Sequence, residues 1–238
     1  MEWMVELSGD PSDLDELSKV FTTPELSIKK EGDKFLLRTT NFESCASSVE
    51  IKKIASEIVH DLTAGIKLSL DARKKLDIDG IVQIGDDGLR HHFIDLSGTA
   101  VARCSASGRL NLSDGTREVF HQADPIPRWI KIAHKDAKVA KAFDFICADF
   151  NSWGTLYKIL EVLEEDHFKP IMRRGRYKEM ANDFTNAANS YTMTGLDARH
   201  ATERTPTPPK NPMSLSEARS FIKMLLHEWL KEKEKIIP

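Results

Sequence analysis

The chain has 238 residues, 40% apolar and 30% charged, with 34 Lys+Arg against 37 Asp+Glu for a formal net charge of −3. That balance predicts one or two folded domains burying about 70–75% of the unfolded chain's surface. Apolar runs of only a few residues exclude a membrane-crossing helix. The start, Met1-Glu2-Trp3-Met4-Val5-Glu6, lacks the basic region of a secretory leader, so a cytoplasmic location is expected.

Trp3 to Leu7 reads as a short strand stopping at Ser8-Gly9. Asp10-Pro11-Ser12-Asp13 reads as a helix start, with Asp10 as N-cap, Pro11 as first helical residue and acids against the positive end of the dipole. That helix carries Leu14, Leu17 and Phe21 on one face and should end before Pro24. Leu26-Ser27-Ile28-Lys29 and Lys34 to Arg38, around Glu31-Gly32-Asp33, read as a hairpin. Ile51, Ile54, Ile58 and Leu62 then mark a longer helix. Ile78 to Ile84 and His92 to Cys104 read as strands around Gly85-Asp86-Asp87-Gly88.

The resulting order of strands and helices predicts an α+β fold class. Residues 1–124 would form a mixed domain with a ferredoxin-like, split βαβ sheet, and residues 125–238 a helical bundle. Asp124-Pro125-Ile126-Pro127 reads as an extended linker between them. Four helical stripes follow it: Val139, Phe143, Ile146 and Phe150; Trp153, Leu156, Leu160 and Leu163; Met180, Phe184, Ala187 and Tyr191; and Leu215, Ala218, Ile222, Leu225 and Trp229. Asn151-Ser152 separates the first two, and the capping box Ser214-Leu215-Ser216-Glu217 opens the fourth.

Charge divides with the chain. Residues 1–124 hold 15 Lys+Arg and 22 Asp+Glu, a net −7, whereas residues 125–238 hold 19 and 15, a net +4. Such asymmetry suggests two units with different partners: a protein partner for the acidic half and a phosphate-bearing one for the basic half. The basic excess peaks in Lys169-Pro170-Ile171-Met172-Arg173-Arg174-Gly175-Arg176-Tyr177-Lys178, which carries five cations and no anion. A second unusual segment runs from Thr194 to Met213, where Arg199-His200 and Arg204 precede a stiff strap containing Pro206, Pro208, Pro209 and Pro212.

Neither GxGxxG, a Walker loop, GxSxG nor HExxH occurs, which removes the main signals for a nucleotide cradle, a serine hydrolase or a zinc hydrolase. Cys45, Cys104 and Cys147 are far apart and form no CxxC. The adjacent His91 and His92 would point to opposite faces of a strand. No metal or other cofactor is therefore expected.

The ending Ala198-Arg199-His200-Ala201, with Pro208 to Ala218 and Leu225 to Leu230, resembles the C-terminus of a group of uncharacterised bacterial proteins; Leu156 to Glu161 extends the likeness upstream. A helical bundle with an Arg-His element beside its last helices is also loosely similar to HEPN domains. Their RNA-cutting members use an arginine and a histidine a few residues apart, whereas Arg199 and His200 are adjacent. On a helix adjacent side chains diverge by about 100°, so convergence would need a non-helical backbone or a partner copy.

The resemblance implies an RNA-associated protein, a metal-independent endoribonuclease of a bacterial stress or defence system. His200 would be the acid–base group and Arg199 the phosphate clamp. Glu161 and Arg204 would support them, Arg173, Arg174 and Arg176 would bind RNA, and the site would form across a homodimer. The alternative expectation is a non-catalytic protein-protein interaction module or accessory subunit.

Overall fold

The computed structural model describes residues 2–85, 89–94, 108–111, 117–166, 168, 175–198 and 212–237, with backbone alone at 94, 108–111, 117–120 and 176. The chain divides into two compact units, residues 1–130 and 131–238. The architecture is α+β: antiparallel strands dominate the first unit, and helices make up the described part of the second.

In the first unit β1 (Glu2–Ser8) leads into α1 (Pro11–Val20), where the Asp10 side chain accepts the Ser12 N–H as the N-cap pattern requires. The hairpin β2 (Leu26–Glu31) and β3 (Lys34–Thr39) turns at Gly32, whose φ of +60° is easily adopted without a Cβ. Next come α2 (Ser48–Ser69), β4 (Asp77–Ile84) and β5 (Arg90–Ile94), then the separate ribbon of β6 (Gly108–Asn111) and β7 (Arg117–Phe120). The strands of the main sheet lie in the order β2-β3-β1-β4-β5, every pair antiparallel. Residues 95–104 of the expected last strand, and Asp86 to Gly88 of its turn, lie outside the described residues.

Cross-strand registry assigns the two faces. Val5 lies opposite Leu37 and Ile81, and Ile28 opposite Leu37, so these four share one apolar face. On the other face Met4, Leu36 and Val82 form a small buried cluster with Ile84 beside it. An ion pair from Arg90 to Glu31, at 2.9 Å, joins the two edge strands β5 and β2. In a flat sheet four strand spacings would hold those edges about 19 Å apart. The sheet must therefore coil strongly, and coiling encloses the Met4 cluster on its concave face.

Two expectations for this unit are corrected. In α2 the enclosed residues are Ile51, Ala55, Val59, Leu62 and Ile66, whereas Ile54 and Ile58 are only half-buried. The Pro125-Pro127 linker is not extended: α3 (Ile126–Ala133) begins there. Proline in a first turn forfeits no intrahelical bond, because the first N–H groups of a helix have no partner anyway. Ile126 is fully buried against Gly65, where an added Cβ would meet Ile126 Cγ2 at 2.4 Å. Ser69 also donates its hydroxyl hydrogen bond to the Gln122 carbonyl. The units consequently part after Ile130, six residues beyond the 124/125 division read from the prolines.

The second unit contains α4 (Ala137–Asp149), α5 (Trp153–Glu165), α6 (Gly175–Asn189), the single turn α7 (Tyr191–Thr194) and α8 (Leu215–Ile236). Helix α5 packs on α4, α6 and α8. The stripes of α4 and α5 are buried in full, and Ser152 caps α5 by accepting the Thr155 N–H. Phe184 of α6 sits among Trp153, Tyr157 and Phe221, with ring centroids 5.8–6.1 Å apart. The reciprocal Ser214–Glu217 capping box opens α8 as expected. The third stripe is shorter than its spacing suggested: Met180 is half-buried and Tyr191 is exposed, because Ser190 breaks the helix before that last residue.

Candidate functional site

Glu161 lies on the exposed side of α5, facing away from the stripe of Leu156, Leu160 and Leu163. Arg176 falls in the first turn of α6. Arg173, Arg174, Arg199, His200 and Arg204 lie outside the described residues, as does the proline strap as far as Asn211. In sequence, Phe168 and Gly175 flank the first of these segments, and Ala198 and Pro212 the second. His91 and His92, on edge strand β5, are both exposed, opposite Gln83 and Val82 respectively. Among the described residues no cluster of three His, Cys, Asp or Glu side chains has metal-binding geometry, and no helix is long and apolar enough to cross a membrane.

The best-defined charged constellation of the second unit joins the start of α4, the end of α5 and the last turns of α8. Lys233 Nζ donates to Asp136 Oδ2 at 2.5 Å and lies 2.6 Å from Asp166 Oδ2. Trp229 Nε1, one turn before Lys233, donates to the same Asp166 oxygen at 2.7 Å. Asp136 is also the N-cap of α4, its Oδ1 accepting the N–H groups of Lys138 and Val139. Lys138 Nζ closes the ring, 3.4 Å from Asp166 Oδ1 and bonded to the Glu165 carbonyl. Finally, the Lys233 ammonium stands over the Trp229 ring, 5.4 Å from its centroid.

Burial opposes ionisation of Asp136, but the Lys233 hydrogen bond and the helix N–H donors outweigh it, holding its pKa below the usual carboxylate value. At Asp166 burial is likewise outweighed, here by the bonds from Lys233 and Trp229. Burial alone would lower the Lys233 pKa, yet its two carboxylate partners raise it. All three groups are thus held charged at neutral pH, and the network works as a clamp on helix ends. Asp136 before an apolar-periodic run is a legible capping signal. Its meeting with Lys233 was not legible, because the partners lie 97 positions apart.

The first unit holds its own buried charge. Glu16 of α1 is 2% exposed; its Oε1 accepts from Lys19, and its Oε2 stands 3.7 Å from His121 Nδ1. A cleft of about 940 Å³ lies where β1 ends and α1 begins, bordered by Lys34, Arg73, Lys74, Asp33 and Asp79. The mixed signs on its rim single out neither an anionic nor a cationic ligand.

No family model, no curated protein and no solved structure matches the chain.

Proposed function

We propose that this is an RNA-associated protein whose helical unit carries a metal-independent endoribonuclease site at Arg199 and His200. In this reading His200 moves the proton at the ribose 2′-hydroxyl or leaving oxygen, and Arg199 stabilises the charge growing on the phosphate. Arg204 and Glu161 support the pair, Arg173, Arg174 and Arg176 guide the RNA backbone, and two copies of the chain build the site together.

One observation carries the reading: charge separates along the chain, −7 in residues 1–124 and +4 in residues 125–238, with the cationic peak at 169–178. The packing of α4, α5, α6 and α8 supports it, since their apolar stripes face one another and the basic stretch falls between α5 and α6 in sequence. The same packing supports the helical-bundle reading of this unit. The strand order β2-β3-β1-β4, with α1 and α2 as the intervening helices, supports the ferredoxin-like reading of the first, to which β5 adds an edge. The acidic charge of the first unit favours a second reading, in which it docks a basic protein partner and the chain has no chemistry of its own.

Incubating the purified full chain with mixed RNA under EDTA tests the proposal. Cleavage should occur with the wild type and disappear with His200→Ala, whose RNA affinity should stay close to wild type. Cleavage that survives His200→Ala removes the catalytic assignment. Absence of RNA binding even at low salt removes the RNA reading and leaves the protein-docking one.

A further inference from the structure

At the end of the sheet where β1 starts and β3 finishes, a second cleft of about 520 Å³ is lined by strand residues and by the turns beside them. Strand registry sets its polar side. Ser27 of β2 lies directly opposite Arg38 of β3, and in an antiparallel pair such partners project from one face with Cβ atoms about 5 Å apart. Lys29 stands two residues farther along β2 and therefore shares that face. All three residues line the cleft.

Each of the three has a donor without an acceptor among the described residues. Arg38 Nε is buried and has no hydrogen-bond partner. Ser27 is only 6% exposed, and its hydroxyl makes no hydrogen bond. Lys29 is exposed and forms no ion pair. A guanidinium N–H can only donate, so leaving it buried and unmatched forfeits its hydration with nothing in return. Two acids also line the cleft: Glu43, which is exposed, and Glu2, whose Oε1 is 2.7 Å from Arg38 Nη1. The Glu2 side chain is 51% exposed, so its pair with Arg38 is weak and exchangeable. A ligand that takes Arg38 must outcompete this one carboxylate.

We propose that the cleft built on Arg38, Ser27 and Lys29 binds a small-molecule phosphate monoester. Such a group presents three acceptor oxygens and a charge of about −1.5 to −2 at neutral pH, which matches three donors and exceeds the charge of the Glu2 carboxylate. Arg38 can meet two of those oxygens at once through Nε and a terminal nitrogen, the fork geometry that suits phosphate. The cleft volume leaves room for a compact organic group beside the phosphate, with Trp3, Pro24 and Phe42 as its apolar lining. The site lies in the first unit and is independent of the RNA reading, whose phosphate contacts belong to the second.

Titration calorimetry of the full chain with phenyl phosphate and with benzoate tests the assignment. Phenyl phosphate should bind at one site, about tenfold or more tighter than benzoate. Arg38→Lys keeps the charge but removes the Nε–H and the fork, and should weaken phenyl phosphate by about tenfold or more. Ser27→Ala should weaken it by about three- to tenfold. Glu2→Gln removes the competing carboxylate and should tighten binding, a gain that damage to the fold would not produce. Benzoate binding as tightly as phenyl phosphate would overturn the phosphate assignment. No saturable binding at millimolar phenyl phosphate, or an affinity unchanged in both Arg38→Lys and Glu2→Gln, would overturn the site itself.

Discussion

Replacing Lys233 by Met removes the cation that bridges Asp136 and Asp166 while keeping a stem of similar length. Both carboxylates lie within 2.6 Å of Nζ, so their nearest oxygens are no more than about 5 Å apart. At an effective dielectric constant of about 20, two unit charges at that separation repel by about 3 kcal/mol. The side chains of Lys233, Asp136 and Asp166 are 15%, 16% and 17% exposed, so solvent screens them only in part. Removing one member of such a pair costs about 3–5 kcal/mol, and this partly exposed site should fall at the lower end.

The pH dependence should change sign. In the wild type Asp136 and Asp166 titrate below their unfolded value, so their stabilisation is complete above about pH 4 and fades as acid carries the pH through the depressed folded values. In Lys233→Met the crowded carboxylates hold protons more tightly than in the unfolded chain. Acidification from neutral pH toward pH 4 should then stabilise the variant and narrow its gap to wild type. Urea unfolding at several pH values measures the gap, and hydrogen exchange in peptides from α4, α5 and α8 assigns it to the helical unit. A loss below about 1 kcal/mol at pH 7, or an acid profile parallel to wild type, would refute the account of Lys233 as the counter-ion of both carboxylates.

Gly65→Ala should destabilise the first unit by about 1–3 kcal/mol, because the new methyl would collide with Ile126. Thermal melts of Gly65→Ala, Ile126→Ala and the double variant should show a smaller loss than the sum of the singles, and strict additivity would count against the contact. Trp229→Phe keeps the ring in the core but leaves Asp166 without its indole donor, a loss of about 1–3 kcal/mol by urea unfolding, whereas Leu196→Ala, at 95% exposure, should change stability by less than about 0.5 kcal/mol.

Local chemistry announced itself in the sequence. Asp10-Pro11, Ser152 and the Ser214–Glu217 box start the helices where their side chains can take orphan N–H groups, and Gly32 turns the hairpin, because each signal acts over a few residues and needs nothing from the rest of the chain. The stripes of α4, α5 and α8 were legible for the same reason: periodicity of about 3.6 residues is a property of the segment itself.

What depended on distant partners was not legible. Helix α3 starts at two prolines that locally favour extension, because Gly65, some sixty positions earlier, opens the space that Ile126 fills. Arg90 and Glu31 read as unrelated surface charges until the coiling of the sheet brings its two edges together. Lys233 is one of three lysines in Lys231-Glu232-Lys233-Glu234-Lys235, and nothing within that run marks it as the member that turns inward. Tertiary packing selects it: beside Trp229 on the buried side of α8 it meets the cap of α4 and the end of α5, where two carboxylates taken partly out of water need a cation between them.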